Sequence, residues 1–283
     1  MFGVLNVYKP KGMTSHDVVG VLRKRLNIRQ IGHTGTLDPF AEGVLPVCIG
    51  KATRLIEYFD DNKEYLATIQ FGSSTSTFDI EGEITKSCDK KVQREDVIYA
   101  LKYFEGEITQ VPPIYSAIKV KGKKLYEYAR NGEEVKITPR QVTIYNIELK
   151  NFDEGYQRAE ILVSCSKGTY IRSIANDLGE KLGCLGHLIK LVRTQAGKFL
   201  IEDSVQLDDE KLESAIQNPL VAISLENITV DNSAHIKISH GMPVTINNTK
   251  IKSGDFLILV YNNNIDAIGV YDGEKVKVKK VFI

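Results

Sequence analysis

The sequence predicts an α+β fold, with a mixed-sheet domain over residues 1–226 and a small β-barrel over residues 227–283. In the first 225 residues, stretches with helical and with strand periodicity mix without a regular strand–helix–strand repeat. After about Leu225 the chain changes to short apolar runs separated by turn residues, which is typical of a small barrel. A chain of 283 residues is long enough for each of these units to bury its own core.

The first domain begins with a predicted strand at residues 3–10 and a helix at 14–27 that is capped by Thr14 or Ser15. The apolar face of this helix consists of Val18, Val19, Val21, Leu22 and Leu26. A loop with the sequence GHTGTLDPFAEGVLP follows at residues 32–46. Alternating polarity predicts strands at 63–72 and 158–166, and one face of the second strand carries Ala159, Ile161, Val163 and Cys165.

Three further helices are predicted, and each has a residue that ends it. They cover residues 94–106, ended by Gly106, residues 169–183, ended by Gly183, and residues 207–219, ended by Pro219. The C-terminal unit is predicted to contain five strands, at residues 226–232, 235–244, 254–264, 265–273 and 274–283.

Several classes of protein are excluded by motifs that the sequence lacks. It has no apolar run of membrane-spanning length and no signal peptide, so we expect a cytoplasmic protein. Gly50 and Lys51 lack the other residues of a phosphate-binding loop. The four cysteines are far apart, so we expect free, mostly buried thiols rather than a zinc site or disulfides. We therefore expect no metal and no cofactor, and a monomer by default.

The positive charge is concentrated in two segments, although the net charge is only +1. Residues 4–30 contain six lysines and arginines against one acid, and residues 119–140 contain seven against three. Such patches suit a phosphate backbone, but they also occur on ordinary solvated surfaces. The charge pattern leaves both interpretations open.

Asp38 is the best candidate for a reactive group, because Pro39 restrains its backbone to an extended conformation. Arg172 lies in the first turn of a predicted helix, where a cation opposes the helix dipole, so it is expected to have an anionic partner. If that partner is Asp38, pairing should lower the pKa of the carboxyl and hold it ionised as a nucleophile. The alternatives are an ordinary turn aspartate and a surface arginine.

Tyrosines near basic residues form a third signal. Tyr65 begins a strand, Tyr170 precedes Arg172, and Tyr115, Tyr126 and Tyr128 lie in or next to the basic segment 119–140. Aromatic rings beside cations suit unstacked nucleotide bases, although packing in the core is an equally ordinary role for each ring.

Five stretches together resemble the bacterial tRNA pseudouridine(55) synthases of the TruB family. They are KPKGMTS, GHTGTLDPFAEGVLP, KEYLATIQFG, QVPPIYSAIKVKGKKLYEYARNG and SKGTYIRSIANDLG, in this order along the chain. The last 57 or so residues resemble a PUA module, an RNA-binding β-barrel. One departure is Leu185, which stands where the family pattern has a glycine.

The resemblance implies that the protein isomerises one uridine in the T loop of tRNA to pseudouridine, without metal or cofactor. It implies that Asp38 is the nucleophile, that Arg172 is its ion-pair partner, and that Tyr65 stacks on the target base and takes part in proton removal. The implied substrate-binding residues are Lys9, His33, Tyr170 and Leu191. The basic segment 119–140 would then hold the T stem-loop.

Two other functions remain open at this stage. One is a tRNA-binding or RNA-folding module with incidental chemistry, although such a module has no need for Asp38, Tyr65 and Arg172. The other is a pseudouridine synthase with a different target, such as another tRNA position or ribosomal RNA. The length of the chain and its single C-terminal module favour the free-standing tRNA enzyme.

Overall fold

A computed structural model describes residues 1–246 and 251–283 of the chain. Its α-helices are α1 (Ser15–Leu26), α2 (Arg94–Leu101), α3 (Leu125–Arg130), α4 (Ile171–Leu182) and α5 (Asn232–Ser239). Short 3₁₀ helices cover Gly50–Tyr58, Lys102–Phe104, Ile201–Asp203 and Pro219–Ala222.

The strands of residues 1–200 form the central sheet and two short hairpins. They are β1 (Gly3–Lys9), β2 (Ile31–His33), β3 (Glu42–Ile49), β4 (Lys63–Phe71), β5 (Ser73–Thr75), β6 (Ile84–Ser87), β7 (Gly106–Gln110), β8 (Lys119–Val120), β9 (Lys123–Lys124), β10 (Arg140–Asp153), β11 (Arg158–Cys165), β12 (Gly186–Ala196) and β13 (Phe199–Leu200). The C-terminal strands are β14 (Glu226–Thr229), β15 (Val244–Thr245), β16 (Phe256–Tyr261), β17 (Asn264–Tyr271) and β18 (Lys275–Val281).

The central sheet has the order β1-β3-β12-β4-β11-β10-β7, with β2 paired to β3 and β13 paired to β12. Only the β3–β12 pair is parallel among the pairs along this order. Helices α2 and α4 pack on one face of the sheet, against alternate residues of β4 and β11. The predicted face of β11 is confirmed, because Ala159, Ile161, Val163 and Cys165 are all fully buried there. The large core therefore lies between the central sheet and the helices α2 and α4, and it includes Tyr65 of β4 and Ile171 of α4.

The C-terminal strands form a second, curled sheet with the order β14-β16-β17-β18-β15. Helix α5 packs against it through the fully buried Ile238. One apolar cluster is shared between the two sheets, since Ile258, Ile268 and Phe282 pack with Val4 and Leu55. The α+β fold with a PUA-like C-terminal unit is confirmed, whereas the domain boundary near residue 226 stays a prediction.

Two predicted helix ends are confirmed. Thr14 caps α1: its side chain accepts a hydrogen bond from Asp17 N at 3.0 Å, and the Asp17 carboxylate accepts one from Thr14 N at 2.8 Å. Gly183 ends α4 with a φ of +67°, which an L side chain rarely adopts. The prediction for Val21 is wrong, because this residue is 37% exposed on the outer side of α1.

Three other predictions of local structure are wrong wholly or in part. Residues 207–219 form turns instead of an α-helix, and the Asp209 carboxylate accepts a hydrogen bond from Lys211 N, a local bond that competes with helix formation. Residues 235–239 are helical, where a strand over 235–244 was predicted, because Asp231 caps α5 by accepting from Ala234 N at 2.7 Å. The loop 32–46 is shorter than predicted, since β3 begins at Glu42.

In the part of the chain that the structure describes, no helix is long and apolar enough to cross a membrane. Within the same residues, no group of three or more His, Cys, Asp and Glu side chains is placed to hold a metal ion. All four cysteines are free and three of them are buried, as predicted.

Candidate active site

A cleft of about 330 Å³ lies above the large core, where the loop after β2 meets β4 and the start of α4. Four segments and one strand residue form its walls. They are Thr34–Asp38, the first residues of β4 (Lys63 and Tyr65), Ser116–Ala117, Lys167–Arg172, and Leu191 of β12. The cleft therefore contains Asp38, Tyr65, Tyr170, Arg172 and Leu191, five of the seven residues that were predicted for the site.

The loop that carries Asp38 is held to the N-terminal segment by hydrogen bonds. Leu37 N donates to Ser15 Oγ at 2.8 Å, and Ser15 Oγ donates to Leu37 O at 3.2 Å. Gly12 N donates to Pro39 O at 2.8 Å on the other side of Asp38. The backbone on both sides of the carboxylate is thus fixed before any ligand binds.

Arg172 pairs with Asp38 through both ends of the carboxylate. Its Nε lies 2.9 Å from Asp38 Oδ2, and its Nη2 donates to Asp38 Oδ1 at 3.3 Å. The arginine side chain is only 6% exposed, whereas that of Asp38 is 34% exposed to the cleft. The geometry presents a carboxylate that is oriented by a buried cation and still accessible to a ligand.

The same guanidinium also pairs with Asp79, a residue that the sequence analysis missed. Arg172 Nη1 donates to Asp79 Oδ2 at 3.2 Å, and Nη2 donates to Tyr115 O at 3.0 Å. Asp79 is buried, and its other carboxylate oxygen accepts a hydrogen bond from Glu81 N at 3.0 Å. The sequence around Asp79 carries no pattern that identifies it as a site residue. Asp79 lies in the connection between β5 and β6, and it meets Arg172 only in the folded chain.

The pKa of Asp38 is raised, and this corrects the expectation that pairing with Arg172 would lower it. Burial raises the pKa, the positive charge of Arg172 opposes that effect, and the negative charge of Asp79 adds to it. Arg172 pairs with two carboxylates. Its stabilisation of the ionised form of Asp38 is smaller than the destabilisation that results from the loss of hydration.

Arg193 is a second buried cation that the sequence analysis missed. It is fully buried, and its side chain donates to Val44 O at 2.6 Å and to Gly35 O at 3.1 Å. It lies opposite Tyr65 in the β4–β12 pair. Arg193 therefore ties the loop before Asp38 to the sheet that carries Tyr65.

The two predicted aromatic residues and Leu191 form the walls around Asp38. Tyr65 is 7% exposed, and burial raises the pKa of its hydroxyl. The backbone of Tyr170 is held by Gln110, whose Nε2 donates to Tyr170 O at 3.0 Å and whose Oε1 accepts from Tyr170 N at 2.8 Å. These rings give the cleft apolar surfaces beside its charged pair.

Lys9 and His33 do not line the cleft, and their assignment to substrate binding stays a prediction. Lys9 is fully buried behind Asp38, and its ammonium donates to Met13 O at 2.6 Å and to Pro10 O at 2.9 Å. Burial lowers the pKa of Lys9 to about 8. His33 is half-buried in β2, and burial lowers its pKa as well.

Basic and aromatic side chains lie together beside the cleft. Lys63 and Lys167 are part of its wall. In the segment 119–140, Lys123 lies 4.6 Å from the Tyr128 ring centroid and Arg130 lies 5.4 Å from that of Tyr126. This arrangement provides cations and ring faces for a single-stranded polyanion.

Comparison with known proteins identifies the family of this site. Residues 23–171 match the model of the TruB family pseudouridylate synthase N-terminal domain, and residues 172–218 match that of the tRNA pseudouridylate synthase B C-terminal domain. A protein from Caldanaerobacter subterraneus subsp. tengcongensis named tRNA pseudouridine synthase B is 46% identical over 284 residues, which cover 99% of each chain. One of the same name from Clostridium tetani is 40% identical over the full length of both chains.

Solved structures agree with this assignment. The chain is similar to a protein in the crystal structure of a Cbf5-Nop10-Gar1 complex, with a TM-score of 0.76 and 30% identity over 100% of this chain and 85% of that one. It is equally similar, at 28% identity, to a chain in an H/ACA RNP bound to a substrate RNA containing 2′-deoxyuridine. The site is thus built on a fold shared with the chains in these two assemblies, and the chain belongs to the TruB family of pseudouridylate synthases.

Proposed function

We propose that this protein isomerises uridine 55 in the T loop of tRNA to pseudouridine, with Asp38 as the nucleophile and without a cofactor. The relatives named tRNA pseudouridine synthase B support a tRNA substrate. The single observation that carries the mechanism is the Asp38 carboxylate, held by Arg172 at 2.9 Å and still exposed to a cleft lined by Tyr65 and Tyr170.

The reaction breaks the bond between N1 of uracil and C1′ of the ribose and forms a bond between C5 and C1′. The proton on C5 is lost and N1 gains a proton, so the base is isomerised with no change in its atoms. A carboxylate can assist by attacking C1′, by attacking C6 or by removing the 2′ proton, and each role requires an ionised and oriented Asp38. Tyr65 supplies a ring face on which the turned base can stack and a hydroxyl near the site of proton removal.

The target base must leave its stack to reach this cleft, which costs a few kcal/mol. Stacking on aromatic side chains, at about 1–3 kcal/mol per base, offsets this cost. Basic residues of the segment 119–140 and Lys63 and Lys167 at the cleft are suited to the phosphates of the T stem-loop. We therefore assign this segment to RNA binding, and Leu191 to the apolar wall of the base pocket.

The test is release of tritium from a T-arm stem-loop that carries 5-³H-uridine at position 55. We expect release by the wild-type protein and by Asp208→Asn, which changes an exposed carboxylate that is not part of the cleft wall. We expect no release by Asp38→Asn, with binding of the stem-loop retained. Tight binding without release by the wild type would refute the proposal and favour a binding module or a different target uridine.

A further inference from the structure

Ser116 forms part of the cleft wall, and its hydroxyl forms no hydrogen bond with the described residues of the protein. The residue is 5% exposed. Its Oγ is buried and has no hydrogen-bond partner among the residues that the structure describes. A buried hydroxyl without a partner destabilises the folded state, so such an atom beside a cleft points to a ligand that pairs with it.

Three hydrogen bonds fix the backbone at Ser116 and at the preceding residue. Ser116 N donates to Ile114 O at 3.0 Å, and Ser116 O accepts a hydrogen bond from Tyr126 N in α3 at 3.1 Å. The preceding carbonyl, Tyr115 O, accepts from the Arg172 guanidinium at 3.0 Å. The serine is therefore fixed next to the cation that orients Asp38.

No hydrogen bond in the described residues fixes the rotamer of the Ser116 side chain. A serine hydroxyl has three staggered χ1 positions and can both donate and accept a hydrogen bond. No protein hydrogen bond in the described residues holds Ser116 Oγ in its present position, so turning it toward a ligand breaks nothing. The hydroxyl of Thr169, also in the cleft wall, differs because it already donates to Ser166 O at 2.9 Å.

We propose that Ser116 Oγ hydrogen-bonds the polar edge of the flipped-out pyrimidine base and positions it against Asp38. The inference rests on the proposed function. Asp38 and Arg172 place charged groups at the bond that breaks, whereas the edge of uracil offers neutral donors and acceptors of the kind that a hydroxyl matches. Ser116 is thus a substrate-positioning residue that also connects α3 to the catalytic pair through its backbone.

The test compares two T-arm stem-loops, one with uridine at the target position and one with an abasic ribose there. Binding is measured with Asp38→Asn and with Asp38→Asn/Ser116→Ala, so that the uridine is not converted. We expect loss of the serine hydroxyl to weaken binding of the uridine RNA roughly three- to tenfold and to leave binding of the abasic RNA unchanged. Equal weakening of both RNAs, or no weakening of either, would overturn the proposal.

Thermal unfolding separates this role from a structural one. Ser116→Ala removes an unpaired hydroxyl, so the Tm of the free protein should stay the same or rise. Ser173→Ala is the matched control, because Ser173 Oγ donates to Val111 O at 2.8 Å and its loss should lower the Tm. A fall in Tm for Ser116→Ala equal to that of Ser173→Ala would contradict a role in base binding.

Failure of this inference can be distinguished from failure of the proposed function. If the wild type does not release tritium from the uridine stem-loop, the proposed function is wrong. If it does, and if Ser116→Ala has the same kcat/KM as the wild type, only the assignment of Ser116 is wrong.

Discussion

At the scale of single residues, the site depends on one arginine shared by two carboxylates. Arg172 contacts Asp38 at 2.9 Å and Asp79 at 3.2 Å, and both the arginine and Asp79 are buried. Two anions attract a buried cation more strongly than one anion does, so together they offset more of the cost of removing it from water. Asp79 thereby holds the guanidinium in the orientation that Asp38 needs.

We expect Asp79→Asn to lower kcat/KM roughly ten- to hundredfold, because it removes a charge-assisted hydrogen bond that positions Arg172. It should also shift the pH profile. Activity is lost as pH falls and Asp38 is protonated, and burial places that pKa above the ordinary value of 3.8. The negative charge of Asp79 raises it further, so its removal should move the acid limb of the profile to lower pH.

The measurement is kcat/KM against pH for the wild type, Asp79→Asn and a control, Asp177→Asn. Asp177 lies on the same helix as Arg172 but forms no ion pair with it in the described residues. An acid limb that moves to higher pH in Asp79→Asn, or an activity equal to that of the control, would show that Asp79 does not act through Arg172.

At the scale of secondary structure elements, the parallel contact of β3 with β12 sets the position of the loop that carries Asp38. Gly43 pairs with Arg193 in this contact and has a φ of +106°. A Cβ atom at Gly43 would lie 2.3 Å from Arg193 O, which is closer than atoms can approach. Glycine is therefore required here both by the backbone conformation and by the neighbouring strand.

We expect Gly43→Ala to lower the free energy of unfolding by about 2 kcal/mol or more, through strain and steric overlap. Gly20→Ala is the matched control, because Gly20 lies within α1 and a Cβ there would contact nothing within 4 Å. That substitution should raise stability by about 0.5–1 kcal/mol. Denaturant unfolding checks both, and equal stability of the two variants would refute the role of Gly43.

Leu185 illustrates a second backbone constraint, at the turn between α4 and β12. It has a φ of +60°, in the left-handed region that favours glycine. The departure from the family pattern at this position thus falls where the fold requires an unusual conformation, and the leucine adopts it.

At the scale of the whole molecule, one apolar cluster joins the central sheet to the C-terminal sheet. Phe282, near the end of the chain, is 7% exposed and its ring centroid lies 6.0 Å from that of Phe2. Ile258 and Ile268 of the second sheet are fully buried in the same cluster. Because the core is shared, we expect the two sheets to unfold together.

We expect Phe282→Ala to lower the free energy of unfolding by about 3 kcal/mol, through loss of buried area and a remaining cavity. Thermal unfolding followed by calorimetry should show one transition at a lower temperature. Phe256→Ala is the control, because Phe256 belongs to the second sheet but is 44% exposed. Two separate transitions, with only one affected by Phe282→Ala, would instead favour independent domains that meet near residue 226.

Sequence patterns alone predicted the fold class, the capped helix α1, the strand β11 and five residues of the cleft, namely Asp38, Tyr65, Tyr170, Arg172 and Leu191. Each of these has a local signature, such as a periodicity, a cap or a motif that resembles a known family. The errors at residues 207–219 and 235–244 occurred where side-chain bonds to the backbone competed with the periodic pattern.

The groups that surround these residues could be identified only from the folded chain. Ser116 lines the cleft, Asp79 contacts Arg172 and Arg193 contacts Gly35, and nothing in their local sequence marks these three residues. The same is true of the raised pKa of Asp38, since burial and the sharing of Arg172 depend on the packed arrangement of all four segments. The burial of a group and the charges around it depend on residues that are distant in the sequence, so a local sequence pattern cannot specify them.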